Sequence, residues 1–128
     1  MSDFGNVLKM PNVTELLNLL PPGVFDELKA KHGDIIAVKT KAGVFAFRTA
    51  KRGEYARFND MLYNEKQRSK ASEFLIRTCV VYPGNEQVSS VAALDAAIDR
   101  YPGIIVTCSN PLVEACGLDT EAEVGKGD

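Results

Sequence analysis

The chain has no tryptophan, one histidine and three cysteines. Each scarcity closes off a class of chemistry. His32, beside Lys31 at the end of an expected helix, reads as a surface or capping residue rather than a catalytic one. Cys79, Cys108 and Cys116 are odd in number and have no metal-type spacing. Each stands among apolar or small residues, as buried reduced thiols of a cytosolic protein do. Cys-x-x-Cys, His-Glu-x-x-His, Gly-x-Ser-x-Gly and a phosphate-binding glycine loop are all missing. The expectation is a protein with no catalytic centre, no metal and no cofactor. Apolar runs are too short to cross a bilayer. The opening MSDFGNVLKMPNV has no basic segment followed by an apolar core, so it does not read as a signal peptide.

What is present is ordinary in bulk and uneven in detail. The 128 residues are enough for one domain with a single core, and 45% hydrophobic with 25% charged residues is usual for a globular chain. We expect a flexible start over 1–11, a globular domain over 12–118 and a flexible acidic tail over 119–128. The net charge is −2, but Lys39 to Arg57 carries six basic residues against Glu54 alone. Pro83 to Asp128 carries eight acidic and two basic residues. Such asymmetry fits mutual attraction, a solvated surface or a basic patch for an acidic partner. A pI near 5.4 and the lack of a recognition motif disfavour nucleic acid.

Punctuation by Pro, Gly and Ser divides the chain. Asn12 or Thr14 can cap a helix to Leu20, which Pro21-Pro22-Gly23 ends. A second short helix spans Val24 to His32 and buries Val24, Phe25 and Leu28, with Gly33 as its stop. Strands DIIAVKT and VFAFRT then form a hairpin through Lys41-Ala42-Gly43, with Gly43 at positive φ. Ile36 and Val38 share one face of the first strand, Phe45 and Phe47 one face of the second. A lone hairpin is marginal in water, so this one must pack on helices or find a further strand.

A long helix should start near Lys51, with Tyr55, Phe58 and Leu62 on one face and Phe74, Leu75, Thr78 and Cys79 continuing an apolar side. Asn64 to Lys70 is polar all round. With no Gly or Pro to interrupt it, a continuous helix is the expectation, and two antiparallel pieces the alternative. Lys51 and Arg52 oppose the dipole at its start, so the basic corner is kept for something besides helix stability. Ser89 or Ser90 caps another helix through Tyr101, with Val91, Leu94 and Ile98 in its apolar stripe. Pro102-Gly103 stops it, a buried run Ile104–Val106 follows, and Asn110-Pro111 opens a last helix that Gly117 ends. The fold class is α+β, mainly helical, with one β-hairpin packed against a long helix and several short helices.

Two apparent sites reduce to structure. Asp95 and Asp99, at i and i+4, read as a solvated acidic face. Tyr55, Phe58, Phe45 and Phe47 could stack on bases beside the basic patch, but their periodicity places them in the core.

The order of signals resembles the tail assembly chaperones of long-tailed bacteriophages and related prophages. It is carried by FRTAKRGEYARF at Phe47–Phe58, NEKQRSKA at Asn64–Ala71, LIRTCVVYP at Leu75–Pro83, RYPGI at Arg100–Ile104 and SNPLVEACGL at Ser109–Leu118. Roughly residues 34–118 are covered, and the first third of the chain is not. Ala50 and Lys51 stand where the family usually shows Pro and a Ser/Thr cap. The resemblance implies a non-catalytic factor of the host bacterial cytoplasm, absent from the mature virion. It implies binding to the tape-measure protein, with tail tube subunits and a weak homo-oligomer as further partners, and no membrane. Arg48, Arg52, Arg57, Tyr63 and Lys66 are the expected partner-binding residues. It also implies a longer form made by −1 ribosomal frameshifting, for which codons of Gly125-Lys126 could serve. Two rival readings stay open: a small nucleic-acid-binding regulator using the basic 39–57 segment, and a structural tail component.

Overall fold

The computed structural model describes residues 20–85 and 87–117. The expected flexible ends, the short helix before Leu20 and the Gly125-Lys126 dipeptide lie outside them. The described residues form an α+β fold, mainly helical, with a three-stranded antiparallel sheet.

Helix α1 spans Val24–His32 and ends at Gly33, whose φ of 84° a side chain would strain. Strands β1 (Ile35–Thr40) and β2 (Gly43–Arg48) pair in the register Ile36↔Phe47, Val38↔Phe45, Thr40↔Gly43. The connection is therefore two residues, Lys41-Ala42. Gly43 opens β2 at φ 117°, one residue tighter than the sequence implies. The Thr40 hydroxyl closes the turn, donating to the Gly43 carbonyl at 2.7 Å and accepting from the Ala42 N–H at 3.0 Å.

The continuous long helix is corrected to two: α2 over Arg52–Leu62 and α3 over Arg68–Cys79. Glycine and proline are not needed for this break. The Asn64 side chain accepts the Lys66 N–H at 2.9 Å, offering the backbone a local turn in place of the helical ladder. Arg68 Nε then donates to the Leu62 carbonyl at 2.9 Å and satisfies a carbonyl at the end of α2. Arg57 lies over Phe74, and Met61 shares a surface hollow with Lys70 and Phe74, so the two helices run antiparallel. A helix pair with a polar turn lets the apolar faces on both sides of the polar segment reach one core.

The hairpin does find another strand. The apolar run after Cys79 leaves the helix and becomes β3, Val80–Tyr82, paired antiparallel with β2 through Ala46↔Tyr82 and Phe47↔Val80. Helix α4 spans Ser90–Arg100, and the Ser89 hydroxyl caps it by accepting the Ala92 N–H at 3.1 Å. The last expectation needs a second correction. Ile104–Ala115 is one helix, α5, with Pro111 inside it, so Asn110 is not its cap and Ile104–Val106 is not a buried run. Ile104 is buried, whereas Val106 is 58% exposed, because helical spacing turns three consecutive residues to different sides.

Both faces of the hairpin are covered. Ile36, Val38, Phe45 and Phe47 point into the larger core with Phe58, Leu75, Ile76, Leu94, Cys108 and Leu112. Ile35, Ala37 and Ala46 point the other way, against Leu20 and Leu28. Strand alternation, read as two faces, thus serves two cores. Each large side chain removed from water contributes about 1.5–3 kcal/mol.

Candidate functional site

The basic segment between Lys39 and Arg57 was the region singled out, and the fold divides it into three environments. The first is a clamp. Arg48, at the end of β2, donates through Nη1 and Nη2 to the two carboxylate oxygens of Glu54, at 2.8 and 2.9 Å. The same guanidinium donates to the carbonyls of Thr49 at 3.2 Å and Thr78 at 3.0 Å. Only 17% of its side chain is exposed. It ties β2, the start of α2 and the end of α3 together. Glu54 also accepts the Lys51 N–H at 2.8 Å, which satisfies one donor at the helix start. Lysine has no acceptor to return, so this is half of a reciprocal cap. Hydrogen bonding from Arg48 holds the Glu54 carboxyl down at about 2, against the opposing effect of burial, with help from the Lys51 N–H. Glu54 also answers the unfavourable charges at the helix start: an acid sits in the first turn beside Lys51 and Arg52.

Arg48 is therefore withdrawn from the expected partner surface. Its fork geometry is fully used inside the fold, and a client could recruit it only by breaking the pair with Glu54.

The second environment is the outer side of the helix pair. Arg52 and Arg57 are exposed on α2. Arg57 rests its guanidinium 5.5 Å from the centre of the Phe74 ring, which orders the charge without neutralising it. Tyr63 closes α2 and is 81% exposed, and Lys66 is exposed in the same turn. Tyr63 and Lys66 share that turn. Arg52 stands at the far end of α2, about 16 Å from Tyr63 along the axis at 1.5 Å per residue. The four remaining residues are spread along and around the helix pair, since helical spacing puts Arg57 about 140° round α2 from Arg52, and they do not form a compact patch.

The third environment is one the sequence did not single out as a site. Lys39, Thr40 and Lys41 of the hairpin turn face Arg100, Tyr101, Pro102, Gly103, Ile104 and Thr107 across a hollow of about 810 Å³. Arg100 and Tyr101 belong to RYPGI, noted only for its order in the chain. The Arg-Tyr pair before Pro-Gly was the available signal, but nothing local says that the hairpin turn lies opposite it.

The remaining candidates keep structural roles. Arg77 pairs with Asp95 at 3.0 and 3.2 Å, which fixes one of the two acidic residues on α4. Cys79, Cys108 and Cys116 are free thiols, and burial pushes Cys79 and Cys108 up to about 12, far from a nucleophile's range. Cys116 accepts the Ala50 N–H at 3.3 Å and so helps seat the start of α2. His32 is lowered from its ordinary value, first by burial and then by Lys31 and Arg48. No group of three or more metal-ligating side chains occurs among the described residues, and no helix there is long and apolar enough to cross a membrane.

A family model described as Domain of unknown function (DUF6848) matches residues 28–125. Among solved structures, the uncharacterised protein rbstp2171 from Bacillus stearothermophilus is similar in fold, with a TM-score of 0.61 and 26% sequence identity over 78% of this chain and 98% of that one. No curated protein matches the chain.

Proposed function

We propose that this chain, which belongs to the DUF6848 family, is a non-catalytic tail assembly chaperone that binds a phage tape-measure protein during tail morphogenesis. Tail tube subunits are a second client in this reading. The observation that carries it is the α2–α3 pair, which presents Tyr63 at 81% exposure beside Lys66, with Arg57 and Arg52 along the same helix. An exposed aromatic on a surface where the exposed cations outnumber Asp60 and Glu65 is suited to anchoring a client segment that mixes apolar and acidic residues. A tape-measure protein is a very long helical chain whose apolar stripes self-associate when bare. A small domain that covers them weakly and in many copies delays that association, and tube subunits then displace it. The resemblance to tail assembly chaperones over roughly residues 34–118 supports the same reading.

The test is co-expression with a phage tape-measure protein. The wild-type chain should keep that protein soluble and co-purify with it, and the Tyr63→Ala/Lys66→Glu variant should lose most of the capture while remaining folded. A client that aggregates equally with and without the chain would overturn the proposal.

A further inference from the structure

We infer that the hollow between the hairpin turn and the α4–α5 junction is a binding site for a small organic phosphate. It is separate from the α2–α3 surface and does not depend on the chaperone reading. Its volume of about 810 Å³ lies within the range of small-molecule sites, about 300–1,000 Å³. Three cations border it from two sides: Lys39 and Lys41 from the hairpin turn, Arg100 from the end of α4. Among the described residues no carboxylate lines it and none of the three is paired with an acid, the ion pairs there being Arg48–Glu54 and Arg77–Asp95. Three like charges facing one hollow repel each other, and an anion relieves that repulsion.

Two further features fit. Helix α5 begins at the hollow with its positive dipole end; its first two N–H groups donate to Tyr101 and Pro102, so it adds a field rather than donors. The Arg100 guanidinium is held 5.4 Å from the centre of the Tyr101 ring, so part of the entropy of fixing this long side chain is already spent. Tyr101 and Pro102 give an apolar wall for the organic part of the ligand.

A phosphate suits this site better than an acidic peptide. A bound peptide needs directional partners for its backbone, and those at the hairpin turn and the start of α5 are used. The Thr40 hydroxyl is engaged with Gly43 and Ala42. The Ile104 and Ile105 N–H groups donate to the carbonyls of Tyr101 and Pro102, at 3.0 and 3.2 Å. The charge and the apolar wall together recognise a multiply charged, partly apolar small molecule.

Two sources share this chemistry, a nucleotide and a sugar phosphate. The test is calorimetric titration of the full chain with ADP, fructose 1,6-bisphosphate, inorganic phosphate, adenosine and a 12-nucleotide single strand. ADP or the sugar bisphosphate should saturate at one site and bind at least tenfold more tightly than inorganic phosphate and adenosine. Which of the two it is identifies the source. Lys41→Glu and Arg100→Glu should each weaken that binding at least tenfold, whereas Arg52→Glu should change it less than twofold. Amide shifts in the wild-type chain should concentrate at 39–43 and 100–107, an observation that does not depend on any variant folding. Failure of both organic phosphates to saturate, amide shifts elsewhere, or indifference to Lys41→Glu and Arg100→Glu would each overturn the assignment. Tighter binding of the single strand than of either small ligand would also overturn it, in favour of a nucleic-acid surface.

Discussion

The two ends of α2 are built from similar residues and put to opposite uses. At its start, Arg48, Glu54 and the Lys51 N–H form a half-buried clamp that reaches the Thr78 carbonyl at the end of α3. At its far end, Tyr63 and Lys66 stand in solvent over a turn that Asn64 and Arg68 hold in place. Both ends look equally polar and charged in the sequence. The difference is how many directions each cation is held from. Arg48 has acceptors on Glu54, Thr49 and Thr78 and belongs to the architecture, while Lys66 has its charge in water and can serve a partner. A count of basic residues therefore measures potential for binding, and only the pairing decides how much of it is available.

The largest expected effect tests the core that both ends share. Phe58 is 4% exposed and tilts against Tyr55 with ring centres 5.4 Å apart. Phe58→Ala should cost about 3–5 kcal/mol in chemical denaturation. A loss below about 1 kcal/mol would put α2 in a different phase and remove the basis for treating its ends as inside and outside.

The clamp comes next. Arg48→Ala leaves Glu54 and the Thr78 carbonyl without their partner, and should cost about 2–4 kcal/mol. A variant as stable as wild type would show that Arg48 belongs with the exposed cations after all.

Acid titration isolates the other half of the clamp. The folded Glu54 carboxyl sits near 2, below its ordinary value of 4.5. The folded form thus binds a proton less readily than the unfolded chain, and this group stabilises the fold above about pH 4.5. That contribution, on the order of 2 kcal/mol after allowance for solvent screening, fades as pH falls from 4.5 to 2. Glu54→Gln should be less stable at neutral pH and show a shallower loss over that window. Parallel stability curves for the two proteins would mean the pair adds nothing.

The smallest effect on stability belongs to the exposed end. Tyr63→Ala and Lys66→Ala should each change stability by less than about 0.5 kcal/mol. A larger loss would make the turn structural and erase the contrast.

How much of this was legible in the sequence follows from how local each signal is. The hairpin could be read because alternation and a glycine turn lie within fourteen consecutive residues, and the Ser89 cap because a cap is a local event. The break in the long helix had a local signal as well, Asn64, which the lack of glycine and proline overshadowed. Strand β3 had none: Val80 to Tyr82 continues an apolar run, and only pairing with β2 makes it a strand. Pro111 misled in the opposite sense, since α5 is held by packing of Ile104, Cys108 and Leu112 on both sides of the lost backbone bond. Arg48 could be named as basic but not as spent, because Thr78, thirty residues away, supplies part of its shell. The hollow beside Arg100 is likewise a meeting of segments about sixty residues apart.

Hydrogen exchange of this chain with and without the co-expressed tape-measure protein tests the central claim most directly. The account predicts added protection across residues 57–70, centred on the Tyr63–Lys66 turn, with the backbone around Arg48 and Glu54 unchanged. Protection confined to the Arg48–Glu54 end, or no protection anywhere in the presence of that protein, would contradict it.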